Sequence, residues 1–210
     1  MKKKKIRKII LAILIIVAIV IVISKIISGK NEQTKYLTHL YDKLNTSQTY
    51  LFEMESNDKN KTIMGKKGDK TIIDNYTENS HSTTIVKDDN TYLVLHDREE
   101  YYIYEQNNIE QTILTDGLLE IKDKQFTTGT EKVKGKKYFY EEYNCSTIFM
   151  STSHSDISED EIKTRFYFDN EGNLKYIKTI KGSYQELLKI NIISEVEDSL
   201  FEIPANYAEN

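Results

Sequence analysis

Few residues in this chain could do covalent or metal chemistry. The candidates are four histidines (His39, His81, His96 and His154) and one cysteine, Cys145. The histidines show no HExxH or other paired spacing that would aim two imidazoles at one zinc ion, so no metal site is expected. Cys145 closes an aromatic run, and nothing in the sequence orients a histidine toward it. It reads as a small core residue. A single cysteine also excludes an internal disulfide and any thiolate-built metal cluster. Ser56-Asn57-Asp58-Lys59 fits the SxxK pattern, but it falls in a predicted turn and no KTG element accompanies it. The stretch Gly65-Lys66-Lys67-Gly68-Asp69-Lys70-Thr71 misses the spacing of a phosphate loop and reads as a basic hairpin tip. The acids Glu99-Glu100, Glu141-Glu142 and Glu159-Asp160-Glu161 are sequence neighbours, and neighbours on a strand point to opposite faces. They cannot converge like the two carboxylates of a glycosidase; solvated edges and loops are expected instead. Asp169–Asn173 is too short for a calcium loop, with Ile180 where the bidentate glutamate would have to stand. No catalytic residue, cofactor or metal is therefore expected.

What remains is aromatic. The 210 residues hold 15 Tyr and seven Phe but no Trp. They concentrate at Tyr101, Tyr102, Tyr104, Tyr138, Phe139, Tyr140, Tyr143, Phe166, Tyr167 and Phe168. Such strands can bury one aromatic set in a core and present the other to a pocket or a partner.

The elements that would position these side chains read mainly as strands. Lys35–Leu44 has Tyr36, Leu37, Leu40, Tyr41 and Leu44 at helical spacing. Beyond Asn45 the period becomes two, with Tyr50, Phe52 and Met54 alternating against Leu51, Glu53 and Glu55. Further strands are expected at Thr62–Lys66, Thr71–Thr77, Thr83–Lys87, Thr91–His96 and Tyr101–Glu105. The alternation fades over 106–132, where Ile113, Leu114, Leu118 and Ile121 suggest a short helix broken by Asp116-Gly117. Strands resume at Lys137–Tyr143, Arg165–Phe168, Leu174–Lys181 and Leu187–Val196. The polar stretch 151–162 is expected to be a loop. Asp169-Asn170-Glu171-Gly172-Asn173 is the clearest hairpin signal. Nine to eleven strands joined by hairpin-sized turns predict an antiparallel sheet with sequential neighbours paired. One face should be apolar and covered by the two helices, the other charged. The fold class is α+β, with a strongly curved sheet over short helices.

Charge and hydropathy place the chain. Residues 1–30 carry eight Lys and Arg and no acid; the other 21 basic residues face all 33 acidic ones, leaving residues 31–210 at −12. A domain so acidic repels phosphate backbones, and no nucleic-acid partner is expected. Ile9–Ile27 holds ten Ile, two Leu and three Val. As a helix it spans about 28 Å, close to a hydrocarbon core of roughly 30 Å. Its insertion gains about 7 kcal/mol, against at most about 3 lost at Lys25. No suitable small residues sit where a signal peptide would be cut. The segment is expected to remain as an anchor, with residues 1–8 a cytoplasmic tail, 28–33 a linker and 34–207 an extracytoplasmic domain. The six cations before the span set that orientation.

The order of elements resembles the LolA/LppX/RseB half-barrel superfamily: an N-terminal helix, a long meander, a mid-chain helical stretch and a closing strand followed by aromatic-x-apolar-Pro. The resemblance rests on Asp89–Tyr104, Gly135–Tyr143, Thr164–Ile177 and Ser199–Tyr207, and covers roughly 33–207. It implies a half-barrel in a bacterial cell envelope with an apolar cavity beneath the sheet, used for lipid or acyl chains in some members and for partner proteins in others. A ligand of that kind would lie against Phe52, Met54, Leu93, Leu95, Tyr102, Tyr104, Tyr140, Phe166, Phe168 and Ile190. The apparent membrane anchor departs from the freely diffusing carriers. An envelope partner protein, met through Tyr side chains and an acidic face, is the alternative.

Overall fold

Hairpin turns organise this molecule. A computed structural model of the chain describes residues 35–57, 59–105, 114–145 and 162–210. The expected span Ile9–Ile27, its basic tail, the 28–33 linker, His154, Ile113 and nearly all of the 151–162 stretch lie outside those residues. Among the described residues no helix is long and apolar enough to cross a membrane.

Helix α1 (Tyr36–Thr46) leads into a first meander: β1 (Thr49–Glu55), β2 (Lys61–Lys67), β3 (Lys70–Tyr76), β4 (His81–Lys87), β5 (Asn90–Leu95) and β6 (Glu100–Glu105). Helix α2 (Leu114–Lys122) precedes a second meander: β7 (Phe126–Val133), β8 (Lys136–Asn144), β9 (Ile162–Phe168), β10 (Leu174–Lys181) and β11 (Tyr184–Ile193). A 3-10 turn at Asp198–Phe201 and the two-residue strand β12 (Ala208–Glu209) close the chain. At Asp88 and Asp89 the backbone has φ of 52° and 59°. Positive φ at both central residues is the twist-matched hairpin turn, and Asp tolerates it.

All twelve strands form one open sheet in the order β12-β6-β5-β4-β3-β2-β1-β11-β10-β9-β8-β7. Neighbours in sequence pair antiparallel, as expected, but the two meanders join through β1 and β11, with Phe52 opposite Ile192. The β12–β6 pairing is parallel, an exception to the antiparallel expectation. Strand β7 is a second departure. Its Thr-Thr-Gly-Thr-Glu-Lys sequence has no apolar alternation, yet β8 pairs with it from Phe126 to Val133. Gly117 lies inside α2 and is buried; it does not break the helix.

Helices α1 and α2 cover one face of the sheet. Leu37 and Leu44 of α1 and Leu118 and Ile121 of α2 join Tyr50, Phe52, Met54, Tyr143, Phe166, Phe168, Ile177 and Ile190 in one core. Cys145 is buried in the same cluster, as its core reading expects. The opposite face corrects the expectation of a charged surface. Over β7–β11 it carries charge: Arg165 bonds Glu131 at 2.7 Å and also Glu142. Over β1–β5 it holds a second core of Leu51, Ile72, Ile85 and Val94, roofed by Val196 and Phe201 from the C-terminal segment.

Gly65 belongs to that second core. A methyl at its position would overlap Leu51 Cδ2 and lie 2.9 Å from Ile72 Cγ2. Gly65→Ala should therefore cost about 1–3 kcal/mol by overpacking, despite the better strand propensity of alanine. A urea midpoint equal to that of wild type would refute the close contact.

Candidate functional site

The strand register decides which side chains share a face. Residues directly opposite across antiparallel neighbours project to the same side. Phe52 faces Met64, Met64 faces Ile73, Ile73 faces Thr84, Thr84 faces Leu93 and Leu93 faces Tyr102. This row runs on the helix side of the sheet from the core across β2–β6. Leu95 and Tyr104 lie two residues along the same strands and share that side.

Of the ten side chains expected to meet a ligand, Phe52, Met54, Phe166, Phe168 and Ile190 are packed under the helices. Leu93, Leu95 and Tyr102 are half-buried further along the same face, and Tyr104 is 43% exposed. Tyr140 does not belong with them. It pairs with Tyr167, across from Gly129, on the opposite face, where the Arg165 guanidinium lies 4.7 Å from its ring centre. One position on a strand is enough to reverse the side.

Within the row's face, Thr91 stands between Val86 and Tyr104. It is 1% exposed, and its hydroxyl oxygen is buried without a hydrogen-bond partner. A buried hydroxyl left unbonded costs on the order of 1–3 kcal/mol. Near the end of α1 a cavity of about 430 Å³ opens between the helix, the β9–β10 turn and β11. Its lining mixes Leu40, Leu44, Tyr50 and Ile192 with His39, Lys43, Asn173 and Asn191. It is no continuous apolar tunnel.

Glu141 overturns the expectation of solvated acid pairs. Its side chain is wholly buried on the helix side. One carboxylate oxygen accepts from the Tyr36 amide at 2.6 Å. The other accepts from the Leu37 amide at 3.1 Å and the Tyr143 hydroxyl at 2.9 Å. A strand residue thus caps α1, which has no acidic residue in its own first turn, and the helix dipole favours the charge there. Burial still raises the carboxyl above the usual glutamate range.

The histidines supply a second correction. Two of them converge: Asp74, His81 and His96 bring one ligand atom each to within 4.8 Å of one another. The sequence signal is symmetry about the Asp88-Asp89 turn, since His81 lies seven residues before it and His96 seven after. The hairpin places them together, and the His96 amide donates to the His81 carbonyl. Asp74 comes to the same spot because it opposes Thr83. Burial and the neighbouring His81 hold His96 below the usual histidine range.

No family model matches the chain, and no curated protein matches it. Several solved structures are similar in shape. An uncharacterized conserved protein from Thermus thermophilus is 8% identical, with a TM-score of 0.49 over 85% of this chain and 99% of its own. LprF from Mycobacterium bovis is 9% identical, with a TM-score of 0.44 over 82% of this chain and 96% of its own. The lipoprotein LppX from Mycobacterium tuberculosis is 11% identical, with a TM-score of 0.40 over 79% of this chain and 99% of its own.

Proposed function

We propose that this chain is a membrane-anchored, extracytoplasmic binding module that holds a lipid or acyl chain on the helix side of a curved sheet. Ile9–Ile27 is its anchor and 34–207 its binding domain, and no step of catalysis is involved. The observation that carries this reading is the row Met64, Ile73, Thr84, Leu93 and Tyr102, apolar except at Thr84, which continues the core's face beyond Phe52. At about 4.8 Å between strands the row from β2 to β6 is about 19 Å long, enough for an extended hydrocarbon chain. Each methylene withdrawn from water there contributes about 0.8 kcal/mol.

The test uses the full chain in detergent. Mass spectrometry of the purified protein should find co-purifying lipid, and a fluorescent fatty acid should bind and be displaced by it. Leu93→Glu should weaken that binding at least tenfold, because a carboxylate on the row must be desolvated against hydrocarbon. Absence of both bound lipid and fatty-acid binding in wild type would refute the proposal.

A partner-binding reading is favoured by a different observation. Strand β6 lies next to the sheet edge, and β12 pairs only with Glu100 and Tyr101. Ile103 and Tyr104 beyond that pairing are 40% and 43% exposed. An extended segment of an envelope protein could add there as a strand. A cross-link from residue 103 to a single envelope protein, with no bound lipid, would favour it.

A further inference from the structure

On the face away from the proposed lipid row, β3, β4 and β5 converge at the margin of the second core. Asp74 Oδ1 lies 2.9 Å from His81 Nε2. Thr83 Oγ1 donates to the same Asp74 oxygen at 2.5 Å and lies 2.7 Å from His96 Nε2. The other ring nitrogen of His96, Nδ1, is 3.0 Å from the Tyr207 hydroxyl. Asp74 is 7% and Thr83 5% exposed, while both imidazoles are only half-buried. The site is therefore walled on the protein side and open toward solvent at the histidines.

We propose that Asp74, His81 and His96 bind a borderline divalent transition-metal ion of the zinc type. Two imidazoles and one carboxylate are the donor set that suits such ions, and hard cations such as magnesium prefer oxygen alone. Three protein ligands leave a coordination position for water or an outside ligand atom, as in open zinc sites. The supporting contacts are also in place. Metal-bound histidines usually hold their second nitrogen on a hydrogen-bonding group, and ligating carboxylates are themselves hydrogen-bonded. Tyr207 does the first for His96 and Thr83 the second for Asp74. The His81 amide donates to Asp97 at 3.0 Å, which pins the start of β4.

The imidazoles of His81 and His96 stack at 3.6 Å with an interplanar angle of 9°. A metal lies in the plane of each ring that ligates it, so binding has to tilt the two rings apart. Tyr76, stacked on the outer side of His81 at 3.8 Å, is the group that moves with it. Because Tyr207 belongs to the C-terminal segment, occupancy ties that segment to β5. The site lies across the sheet from the lipid row, so its success or failure is independent of lipid binding.

The experiment takes the full chain in detergent, stripped with EDTA, and titrates it with zinc chloride at pH 7.5 by calorimetry. One zinc per chain should bind, and the melting temperature should rise with zinc. His96→Gln and Asp74→Asn should each weaken binding at least tenfold. Tyr207→Phe, which keeps the ring but loses the hydroxyl, should weaken it about tenfold. His39→Gln, on α1, should leave it unchanged. Cobalt(II) in place of zinc should give visible absorption bands that His96→Gln abolishes. Folded wild-type protein that shows no zinc heat and no cobalt bands overturns the proposal, whatever the variants do. So does zinc binding that His96→Gln and Asp74→Asn both leave intact; the cluster is then a hydrogen-bonded latch for the C-terminal segment.

Discussion

Glu141→Ala should lower the unfolding free energy by about 3–5 kcal/mol, measured as a fall in the urea midpoint with little change in slope. Three donors, the Tyr36 and Leu37 amides and the Tyr143 hydroxyl, converge on that carboxylate. Each donor left buried without an acceptor costs about 1–3 kcal/mol, and the void left by a fully buried side chain adds to this. For a domain whose whole stability is about 5–15 kcal/mol, such a loss threatens the docking of α1. Glu141→Gln should fall between the two, since one amide oxygen still accepts while the NH₂ group opposes a donor. The pH dependence supplies a further check. Burial, the largest influence, lifts the Glu141 carboxyl above its ordinary value of 4.5, against its hydrogen bonds. A raised folded-state value makes this residue's contribution greatest at low pH and diminishes it as pH rises from about 4.5 through the raised value. The alanine variant should lack that slope. An alanine variant as stable as wild type would show that the cap is not used.

Phe201→Ala should cost about 3–5 kcal/mol, in the range of large aromatic truncations in packed cores. Phe201 is fully buried and roofs Leu51, Ile72, Ile85 and Val94 together with Val196. The contact is reinforced at its rim, where Lys67 binds the Val196 carbonyl at 2.9 Å and Asp198 at 3.0 Å, and Lys87 binds Glu202 at 2.7 Å. Those exposed pairs are worth little individually; the phenyl ring carries the attachment. Its loss should raise amide exchange in β3–β5 and increase binding of a hydrophobic dye. If the variant unfolds like wild type and shows no faster exchange there, the second core contributes nothing to stability.

Neither effect could be foreseen from the sequence, although most of the strands around them could. The strands of β1–β6, β8 and β10 were legible within one or two residues because alternation and turn chemistry are local properties of the chain. The Asp169–Asn173 hairpin and the basic tip around Gly68 belong to the same class. Strand β7 was not legible, because Thr, Gly, Glu and Lys carry no period. It forms because β8 offers a ladder of backbone partners. Glu141 and Phe201 depend on contacts between elements far apart in the chain, and side-chain type alone cannot report them.

The row of candidate ligand contacts divides in the same way. The resemblance implied ten contacts, and the register places Phe52, Met54, Leu93, Leu95, Tyr102, Tyr104, Phe166, Phe168 and Ile190 on one face of the sheet. Tyr140 fell on the wrong side, since a run with aromatics at consecutive positions does not reveal which of them faces inward.

By itself, the sequence determined the antiparallel meanders, the α1 and α2 segments, the core placement of Cys145 and the acidic character of residues 31–210. These follow from periodicity, turn residues and charge, each summed over neighbours along the chain. Only the tertiary structure decided that β1 joins β11, that the C-terminal segment covers a second core, that a strand carboxylate caps α1, and that Asp74 meets two histidines. Those outcomes are set by register and burial, where a shift of one residue sends a side chain to the other face.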